Sequence, residues 1–392
     1  MATADERFDL IVIGTGPAGE KAAVQAGYFG KRVAVVERAQ EPGGAGVHTG
    51  TLPSKTLRET ALYLSGHSAR ELYGVAVSLD RQATLEHLMA RKNAIAASES
   101  RRIRDNFDRH DITYFHGTGT VDTDRRVVVD GPAGIFRLSA DFILIATGSR
   151  PFRPKDIDFE DDRIHDSDEI LGIECLPERL VVLGGGVIGC EYACMFAALG
   201  AKVTLVDTRD RVLPFLDDEI VTRLTDAMVK LGVELRHGVR WSNIKRSGEE
   251  VALDLSDGSK LTCDQLLYAA GRVGNTEGLG LDKVGVSIDN RGYVHVDERF
   301  ATTAPGIVAA GDVIGFPALA SVSMEQGRVA ICHAFGFGYK TAVSSMMPYG
   351  IYTIPEASGV GETEQTCAEK GRDAVVGRAL YRNNARGKIV GD

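Results

Sequence analysis

Cysteine pairs and long apolar runs are both missing from this chain of 392 residues. Its six cysteines are scattered, with no CxxC pair and no spacing typical of a metal site, which argues against a disulfide framework and against bound metal. No segment approaches the roughly 18 consecutive apolar residues of a membrane span. The start, MATADERFDLIVIG, carries acidic residues where a signal peptide carries basic ones. We therefore expect a cytoplasmic protein that contacts no membrane.

An excess of positive charge is also absent. The 45 Lys and Arg residues are outnumbered by 54 Asp and Glu residues, which gives a net charge of −9. This balance argues against nucleic acid as a partner and against a polybasic membrane patch. Proline is scarce, at 12 residues, whereas 44% of the residues are hydrophobic and 25% are charged, as in ordinary globular proteins. A chain of this length is expected to form about two to three domains.

Glycine is abundant instead, at 45 residues, and part of it lies in a recognisable pattern. The apolar run FDLIVI enters Gly14, Gly16 and Gly19, an alanine-rich helical pattern follows, and the run RVAVVE ends at Glu37. A strand, a GxGxxG turn, a helix and a second strand that ends in an acid make up the dinucleotide-binding unit of doubly wound α/β folds.

The same order of features recurs 170 residues later. LVVL enters Gly184, Gly186 and Gly189, a helical pattern follows, and VTLVD ends at Asp207. The first glycine and the acid are 23 residues apart in both units. A single GxGxxG also occurs in ordinary glycine turns, but two complete units at one spacing predict two dinucleotide sites. In each site the pyrophosphate lies at a helix N-terminus and the acid accepts a hydrogen bond from a ribose hydroxyl.

Two further buried strands open into glycine. FILIATG reaches Thr147 and Gly148, and LLYAAGRVGNT reaches Gly271. The stretch RPFRPKDIDFEDDR after the first is typical of a linker, because it is rich in proline and charge. Later, IVAAGD ends at Asp312 and precedes a helical pattern. This order predicts that the chain leaves its first domain after Gly148 and returns to it after Gly271.

Seven segments together resemble one known family. In chain order they are GTGPAGEKAA, GGAGVHTGTLPSK, ATGSRP, GGGVIGCEYA, GRVGNT, AAGDVIG and GIYTIPEASGVG. They are similar to the flavoproteins that include lipoamide dehydrogenase and glutathione reductase. Three segments, HTGTLPSKTLRE, RIHDSDEIL and TRDRVLPFLD, look most like the soluble, energy-independent, Si-specific transhydrogenases of that family.

The resemblance implies an α/β fold with two Rossmann-like domains, one inserted in the other. An FAD-binding domain would comprise residues 1–150 and 275–345, and an NAD(P)-binding domain would comprise residues 151–274. Residues 346–392 would begin a C-terminal interface domain that is truncated. Full-length relatives are expected to be homo-oligomers, so dimerisation of this chain is in doubt.

Disulfide reductases of this family carry two redox cysteines over the flavin, at positions that match Gly46 and Thr51 here. Without sulfur at either position a redox disulfide is excluded, and so are lipoamide, glutathione and similar substrates. Cys190 and Cys194 are spaced as neighbours on one helix face, where small core residues are the simpler interpretation. The flavin is therefore expected to give its electrons to another acceptor.

The resemblance also implies a catalytic ion pair between Lys55 and Glu191, beside the reactive flavin nitrogen. Lys55 would favour the negative charge of reduced flavin, and Glu191 would hold the ammonium in place. Composition alone favours a surface lysine and an ordinary helix glutamate, whereas the two glycine-rich units together favour the ion pair. His48 would lie near the flavin, although a structural role in its loop is equally consistent.

Asp312 matches the family residue that accepts hydrogen bonds from the ribityl chain of the flavin, and it could also cap a helix. The cofactor contacts that the two units and the resemblance imply are at Gly14, Gly16, Gly19, Glu37, Arg38, Gly44, Lys55, Gly117, Thr147, Gly148, Gly184, Gly186, Gly189, Asp207, Arg209, Gly271 and Asp312. The basic run RRIRDNFDR at 101–109 is interpreted as the solvated face of a helix, with no function.

Nucleotide choice depends on the segment VTLVDTRDR. Asp207 is the acid expected to bind the ribose of NAD, whereas Arg209 and Arg211 could neutralise the 2′-phosphate of NADP. A site that accepts both nucleotides in turn needs both features. The arginines could instead pair with Asp210 and Asp217 at the surface, and this alternative stays open.

These expectations describe a transhydrogenase that moves hydride from NADPH to NAD through FAD, with NAD(H) and NADP(H) entering one site in turn. One alternative is a diaphorase or oxidase that passes electrons to quinones or oxygen. The other is an inactive flavin-binding fragment, because the chain stops soon after the interface domain begins. The last histidine is His333, so the C-terminal histidine of the disulfide reductases has no match, although hydride transfer needs no thiol base.

Overall fold

The computed structural model of the protein describes residues 5–66, 74 and 80–390. Contacts divide them into two compact units. Unit 1 comprises the described residues of Met1–Pro53, Asn93–Phe152 and Arg272–Ser345, and unit 2 comprises those of Ser54–Lys92, Arg153–Gly271 and Met346–Asp392. Within this part of the chain, no helix has the length and apolar character needed to traverse a lipid bilayer.

Helices and strands alternate in two stretches, residues 5–37 and 179–236, and the rest of the described chain contains long runs of consecutive strands. Its helices are α1 (Pro17–Tyr28), α2 (Gly44–His48), α3 (Thr51–Ser65), α4 (Arg81–Arg109), α5 (Val187–Ala198), α6 (Asp218–Lys230), α7 (Ala320–Phe335), α8 (Glu364–Glu369) and α9 (Ala385–Val390). Its strands are β1 (Asp5–Ile13), β2 (Val33–Glu37), β3 (Thr113–His116), β4 (Thr118–Val121), β5 (Val127–Gly131), β6 (Gly134–Ile145), β7 (Ser149–Pro151), β8 (Ile164–Asp166), β9 (Arg179–Leu183), β10 (Lys202–Val206), β11 (Val233–Arg236), β12 (Trp241–Ser247), β13 (Glu250–Leu255), β14 (Lys260–Cys263), β15 (Gln265–Tyr268), β16 (Arg272–Gly274), β17 (Ile307–Ala309), β18 (Tyr349–Ile351) and β19 (Ala357–Gly359).

Unit 1 is built on a sheet with the order β3-β2-β1-β6-β5-β4, and β17 also pairs with β6. The pairings of β1 with β2 and β6, of β2 with β3, and of β17 with β6 are parallel, whereas β4, β5 and β6 pair antiparallel. The register places Val12 of β1 between Val35 of β2 and Leu144 of β6. Strands β3, β2 and β1 follow the order of a doubly wound fold.

The central strand of unit 1 is buried on both faces. Leu10 and Val12 pack into one hydrophobic cluster, and Ile11 and Ile13 pack into a second one. Successive side chains of a strand point to opposite faces, so a strand covered on both sides needs apolar residues at every position. The uninterrupted apolar stretch LIVI at 10–13 meets this requirement.

Unit 2 contains a parallel sheet with the order β11-β10-β9-β15-β8 and an antiparallel sheet of β12, β13 and β14. Its central strand β9 repeats the burial pattern of β1. Leu180 and Val182 pack into one cluster, and Val181 and Leu183 pack into another. The expected α/β class with two Rossmann-like domains is confirmed.

Candidate active site

The first glycine-rich loop connects β1 to α1 in unit 1. Gly14 has a φ of +100°, a conformation that disfavours any side chain, and Gly16 is the N-cap residue of α1. A Cβ on Gly19 would collide with the carbonyl oxygen of Gly14. These glycines leave open backbone at the start of the helix, where N–H groups and the helix dipole favour an anion.

The second loop, between β9 and α5 in unit 2, has the same construction. Gly184 has a φ of +111°, and Gly186 is the N-cap residue of α5. A Cβ on Gly189 would collide with the carbonyl oxygen of Gly184, as at the matching position of unit 1. Both loops therefore offer a phosphate the same type of backbone cradle.

The acid of unit 1 is held by the first loop itself. Glu37 is buried, and its carboxylate accepts hydrogen bonds from the Thr15 amide at 3.0 Å, the Thr15 hydroxyl at 2.6 Å and the Ala39 amide at 2.9 Å. Thr15 was not singled out by sequence reasoning, and its role becomes visible only in its contact with Glu37. These bonds hold the carboxylate next to the first glycine-rich loop.

Three other expected contacts lie around this acid. The Gly117 amide donates to the backbone carbonyl of Glu37 at 2.8 Å. Gly44 lies close to Gly16, since a Cβ added to Gly44 would be 2.8 Å from the Gly16 Cα. Arg38 is exposed beside Glu37. The structure thus brings Gly44, Gly16, Gly117 and the acid into one region of unit 1.

The acid of unit 2 forms an ion pair with its own neighbour. The Asp207 carboxylate accepts from the Arg209 side chain, at 2.6 Å from Nη2 and 3.0 Å from Nε, and from the amides of Arg209 and Gly185. Burial opposes ionisation of Asp207, but the Arg209 guanidinium and these backbone donors outweigh it and lower the pKa of the carboxyl. Arg211 pairs with Asp218. The surface pairs with Asp210 and Asp217 that sequence reasoning had left open are therefore not the ones that form.

A third group of expected contacts surrounds Asp312 in unit 1. Its carboxylate accepts from the hydroxyls of Ser149 at 3.4 Å and Ser323 at 3.2 Å. Thr147 and Gly148 both contact the backbone of Asn275. The Thr147 hydroxyl donates to the Asn275 carbonyl at 2.7 Å, and the Asn275 amide donates to the Gly148 carbonyl at 3.0 Å. In unit 2, Gly271 follows β15 with a φ of +127°.

Unit 2 brings together Lys55 and Glu191, which are 136 residues apart in the chain. The Lys55 ammonium on α3 donates to Oε2 of Glu191 on α5 at 2.6 Å and to the Ser54 hydroxyl at 3.3 Å. Glu191 is buried, and the Lys55 side chain is about one quarter exposed, at 26%. The expected ion pair thus exists, with its cation partly open to solvent.

The sequence model for "pyridine nucleotide-disulphide oxidoreductase" matches residues 8–327, most of the chain. The chain belongs to this family. Proteins of the family bind FAD and NAD(P). The chain is also 43% identical, over 98% of its length, to the soluble pyridine nucleotide transhydrogenase of Mycobacterium tuberculosis, of which it covers 82%. It is 39% identical, again over 98% of its length, to the soluble pyridine nucleotide transhydrogenase of Pseudomonas putida, of which it covers 83%.

Solved structures agree with this assignment. LpdA from Mycobacterium tuberculosis superposes with a TM-score of 0.88 at 29% identity, over 98% of this chain and 84% of that chain. The HOCl-induced flavoprotein disulfide reductase RclA from Escherichia coli superposes with a TM-score of 0.85 at 27% identity, over the same shares of the two chains.

This member of the pyridine nucleotide-disulphide oxidoreductase family has no sulfur at the positions expected for the redox pair. Gly46 lies on α2, where an added Cβ would be 3.0 Å from the Pro17 ring, and Thr51 begins α3. Cys190 and Cys194 are buried, and burial raises the pKa of the Cys190 thiol well above its ordinary range and that of Cys194 to about 11. Both are core thiols that stay protonated, as expected for small core residues.

Two other expectations concern residues of unit 1. His48 donates from Nε2 to the carbonyl of Pro42 at 3.1 Å, which gives it a structural partner in its loop. The basic run at 101–109 forms the end of α4 and is largely exposed, as expected. Within it, Arg102 reaches the buried Glu20 of α1, at 3.1 Å between Nη1 and Oε1.

Proposed function

We propose that this protein transfers hydride from NADPH to NAD by way of bound FAD, as a soluble transhydrogenase of the cytoplasm. The observation that carries the proposal is the Lys55–Glu191 ion pair. It occurs in a chain that has both glycine-rich dinucleotide loops but no sulfur at positions 46 and 51. The curated relatives that cover it almost completely bear the transhydrogenase name. Six free cysteines fit a reducing compartment.

Unit 1 is proposed to hold FAD, and its residues fit that group. The α1 loop offers a backbone cradle that a Cβ on Gly19 would fill, and Glu37 is held beside it by Thr15. Asp312 presents a carboxylate positioned by two hydroxyls, suited to accept hydrogen bonds from a polyol chain. When bound, FAD supplies a centre that accepts a hydride from one nicotinamide and returns it to another.

Unit 2 is proposed to bind both nicotinamide nucleotides in turn at the α5 loop. Asp207 suits the ribose hydroxyls of NAD, and Arg209 suits the 2′-phosphate of NADP. Their mutual ion pair supports this dual role, because either member can exchange its partner for a nucleotide group. The two backbone amides on Asp207 keep the carboxylate in place when the guanidinium moves to a phosphate.

Lys55 is proposed to stabilise negative charge that develops beside it during hydride transfer, and Glu191 is proposed to keep the ammonium oriented. A charge-assisted bond of 2.6 Å between a buried carboxylate and a largely buried lysine side chain fixes that cation before the reaction begins. Such preorganised charge accelerates a reaction because it needs no rearrangement at the moment of transfer. The rest of the rate comes from holding the nicotinamide in position.

The test is a pair of anaerobic half-reactions on the flavin-loaded protein. NADPH should bleach the visible absorbance of oxidised flavin, and NAD, added after NADP is removed, should restore it with formation of NADH. Steady-state rates should give the parallel double-reciprocal lines of a ping-pong scheme. Reduced flavin that only oxygen or quinones reoxidise would replace the proposal with a diaphorase or oxidase, and a protein that holds no flavin would remove both.

A further inference from the structure

The aromatic ring of Tyr352 lies against the Lys55–Glu191 pair within unit 2. The Lys55 Nζ atom is 5.0 Å from the centroid of this ring, within the range at which an aromatic face attracts a cation. Tyr352 follows β18 and is 161 residues from Glu191 in the chain, so no local motif predicts the contact. The ammonium therefore has a carboxylate on one side and the face of a ring on another.

The backbone of Tyr352 and of the next residue forms two hydrogen bonds with side chains of other elements. The Tyr352 amide donates to Oε1 of Glu191 at 2.8 Å, while Oε2 of the same carboxylate accepts from Lys55. The next residue, Thr353, is fully buried, and its carbonyl accepts from Nη2 of Arg58 on α3 at 2.9 Å. The segment is thus tied to α5 through Glu191 and to α3 through Arg58, one helical turn beyond Lys55.

We propose that Tyr352 is a positioning residue for Lys55. A lysine side chain has several rotatable bonds, and one ion pair at its end leaves the ammonium able to pivot about the carboxylate. The ring supplies a second attraction from another direction, since the negative face of an aromatic ring favours a cation. Its backbone amide also takes the other oxygen of Glu191, which fixes the plane of the carboxylate that holds the lysine.

The first experiment compares Tyr352→Leu with Tyr352→Phe in the flavin-loaded protein. Leucine removes the ring, and we expect reduction of the flavin by saturating NADPH to slow by about 3 to 10-fold, or about 0.7 to 1.4 kcal/mol. Phenylalanine keeps the ring face and should retain most of the rate. Tyr63→Leu is the matched control, because Tyr63 is an exposed tyrosine on α3, the helix that carries Lys55.

A double mutant separates positioning of Lys55 from general damage. In a Lys55→Met background there is no ammonium left to position, so Tyr352→Leu should change the rate by less than about 2-fold. An equal slowing by Tyr352→Leu with and without Lys55 would overturn the proposal. The rate part of this test rests on the proposed hydride transfer.

The second readout does not depend on that activity. Competitive acetylation with acetic anhydride, followed by mass spectrometry, compares the labelling rate of Lys55 with that of Lys202, an exposed lysine of β10 in the same unit. Tyr352→Leu should raise the relative labelling of Lys55 by about 3-fold or more, because an ammonium no longer covered by the ring is free to move and is easier for the reagent to reach. Tyr352→Phe and Tyr63→Leu should leave this ratio close to that of the unsubstituted protein.

Failure of the two ideas is therefore distinguishable. If NADPH does not reduce the bound flavin of the unsubstituted protein, the proposed function is wrong, and the labelling ratios still decide the role of Tyr352. If the flavin is reduced but Tyr352→Leu labels Lys55 no faster than Tyr63→Leu does, the positioning role is wrong.

Discussion

The two dinucleotide units place their acids with the same backbone bonds. In unit 1 the amides of Thr15 and Ala39 donate to Glu37, and in unit 2 the amides of Gly185 and Arg209 donate to Asp207. The donors occupy equivalent positions, one residue beyond the first glycine and two residues beyond the acid. A carboxylate at this position is therefore a property of the strand, loop and helix unit and not of one nucleotide.

The side chains at these equivalent positions differ. In unit 1 the Thr15 hydroxyl adds a third bond to Glu37, whereas in unit 2 the loop residue is Gly185 and the third partner is the Arg209 guanidinium. A threonine hydroxyl is neutral and fixed near the loop, while a guanidinium is charged and on a long, mobile stem. This difference fits the proposal that unit 1 holds FAD and that unit 2 binds two nucleotides in turn.

The helices after the two loops also use their carboxylates differently. Glu20 of α1 is buried and pairs with Lys21 and with Arg102 of α4, contacts that hold helices of unit 1 together. Glu191 of α5 instead pairs with Lys55 on α3, whose side chain is about one quarter exposed, at 26%. The two carboxylates lie near the starts of their helices at positions one residue apart in the units, and Glu20 is structural whereas Glu191 belongs to the candidate active site.

The largest expected effects come from the third glycine of each loop. In both variants the new Cβ meets a backbone carbonyl. Gly19→Ala should weaken FAD binding by about 100-fold or more. Gly189→Ala should weaken NADPH binding by about 100-fold or more while FAD stays bound. Flavin absorbance and nucleotide titration measure the two losses. The controls are Gly30→Asn and Gly200→Asn. These glycines lie at equivalent positions after α1 and α5, and each has open space for a Cβ. Loss of both ligands in each variant would contradict the assignment of one ligand to each unit.

Changes to the ion pair of unit 2 should shift nucleotide preference in opposite directions. Arg209→Ala should weaken NADP(H) binding by about 1.5 to 3 kcal/mol, roughly 10 to 100-fold, and spare NAD(H), since backbone amides still hold Asp207. Asp207→Ala should weaken NAD(H) and spare or strengthen NADP(H). Half-reaction titrations measure both, with Arg211→Ala as the control, because Arg211 pairs with Asp218. Equal weakening of both nucleotides by Arg209→Ala would make this arginine a structural residue.

Removal of the charge of Lys55 should slow chemistry without loss of flavin. Lys55→Met keeps the length of the side chain, and reduction by NADPH should slow by about 10 to 100-fold, or about 1.4 to 2.8 kcal/mol of preorganised electrostatics. Stopped-flow absorbance gives the rate, and Lys202→Met, an exposed lysine of the same unit, controls for loss of one positive charge. An unchanged half-reaction would show that the ion pair is structural.

The carboxylate of α1 in unit 1 should matter for stability only. Burial opposes ionisation of Glu20, but Arg102 and Lys21 outweigh it and lower its pKa. A lowered folded pKa means that the contribution is present above the unfolded pKa of about 4.3 and disappears as the pH falls through the folded value. Glu20→Gln should therefore cost about 1 to 3 kcal/mol at neutral pH, measured by urea unfolding, and less in acid. This account would be contradicted if Glu20→Gln lowered the free energy of unfolding by the same amount at every pH.

The smallest expected effect is that of thiol reagents. No cysteine occupies positions 46 or 51, and the buried Cys190 and Cys194 stay protonated, so alkylation of accessible thiols such as Cys175 should change hydride transfer by less than about 2-fold. The assay is activity before and after iodoacetamide treatment, with modified residues identified by mass spectrometry. Loss of nearly all activity with the fold intact would require a redox thiol that the proposed route does not contain.

The sequence predicted the α/β class and both dinucleotide units, because each unit lies within one short stretch of chain. The spacing from Gly14 to Glu37 is imposed by one strand, one turn and one helix, so it can be recognised without knowledge of the rest of the molecule. The ligands assigned to these residues stay predictions. Thr15 was missed because a threonine inside a glycine turn has no distinctive pattern until its hydroxyl is seen on Glu37.

The sequence alone thus determined three features: the strands and loops of the two units, the acid that ends the second strand of each, and the absence of redox sulfur. Only the tertiary structure decided that Arg209 faces Asp207 and not a surface partner, that Glu20 and Glu191 have different partners, and that Tyr352 lies over Lys55. Local spacing determines contacts within a strand, turn and helix, since backbone geometry repeats over a few residues. Contacts between α3, α5 and the segment after β18 depend instead on how distant segments pack, because burial of apolar side chains has no direction and leaves no local sequence pattern.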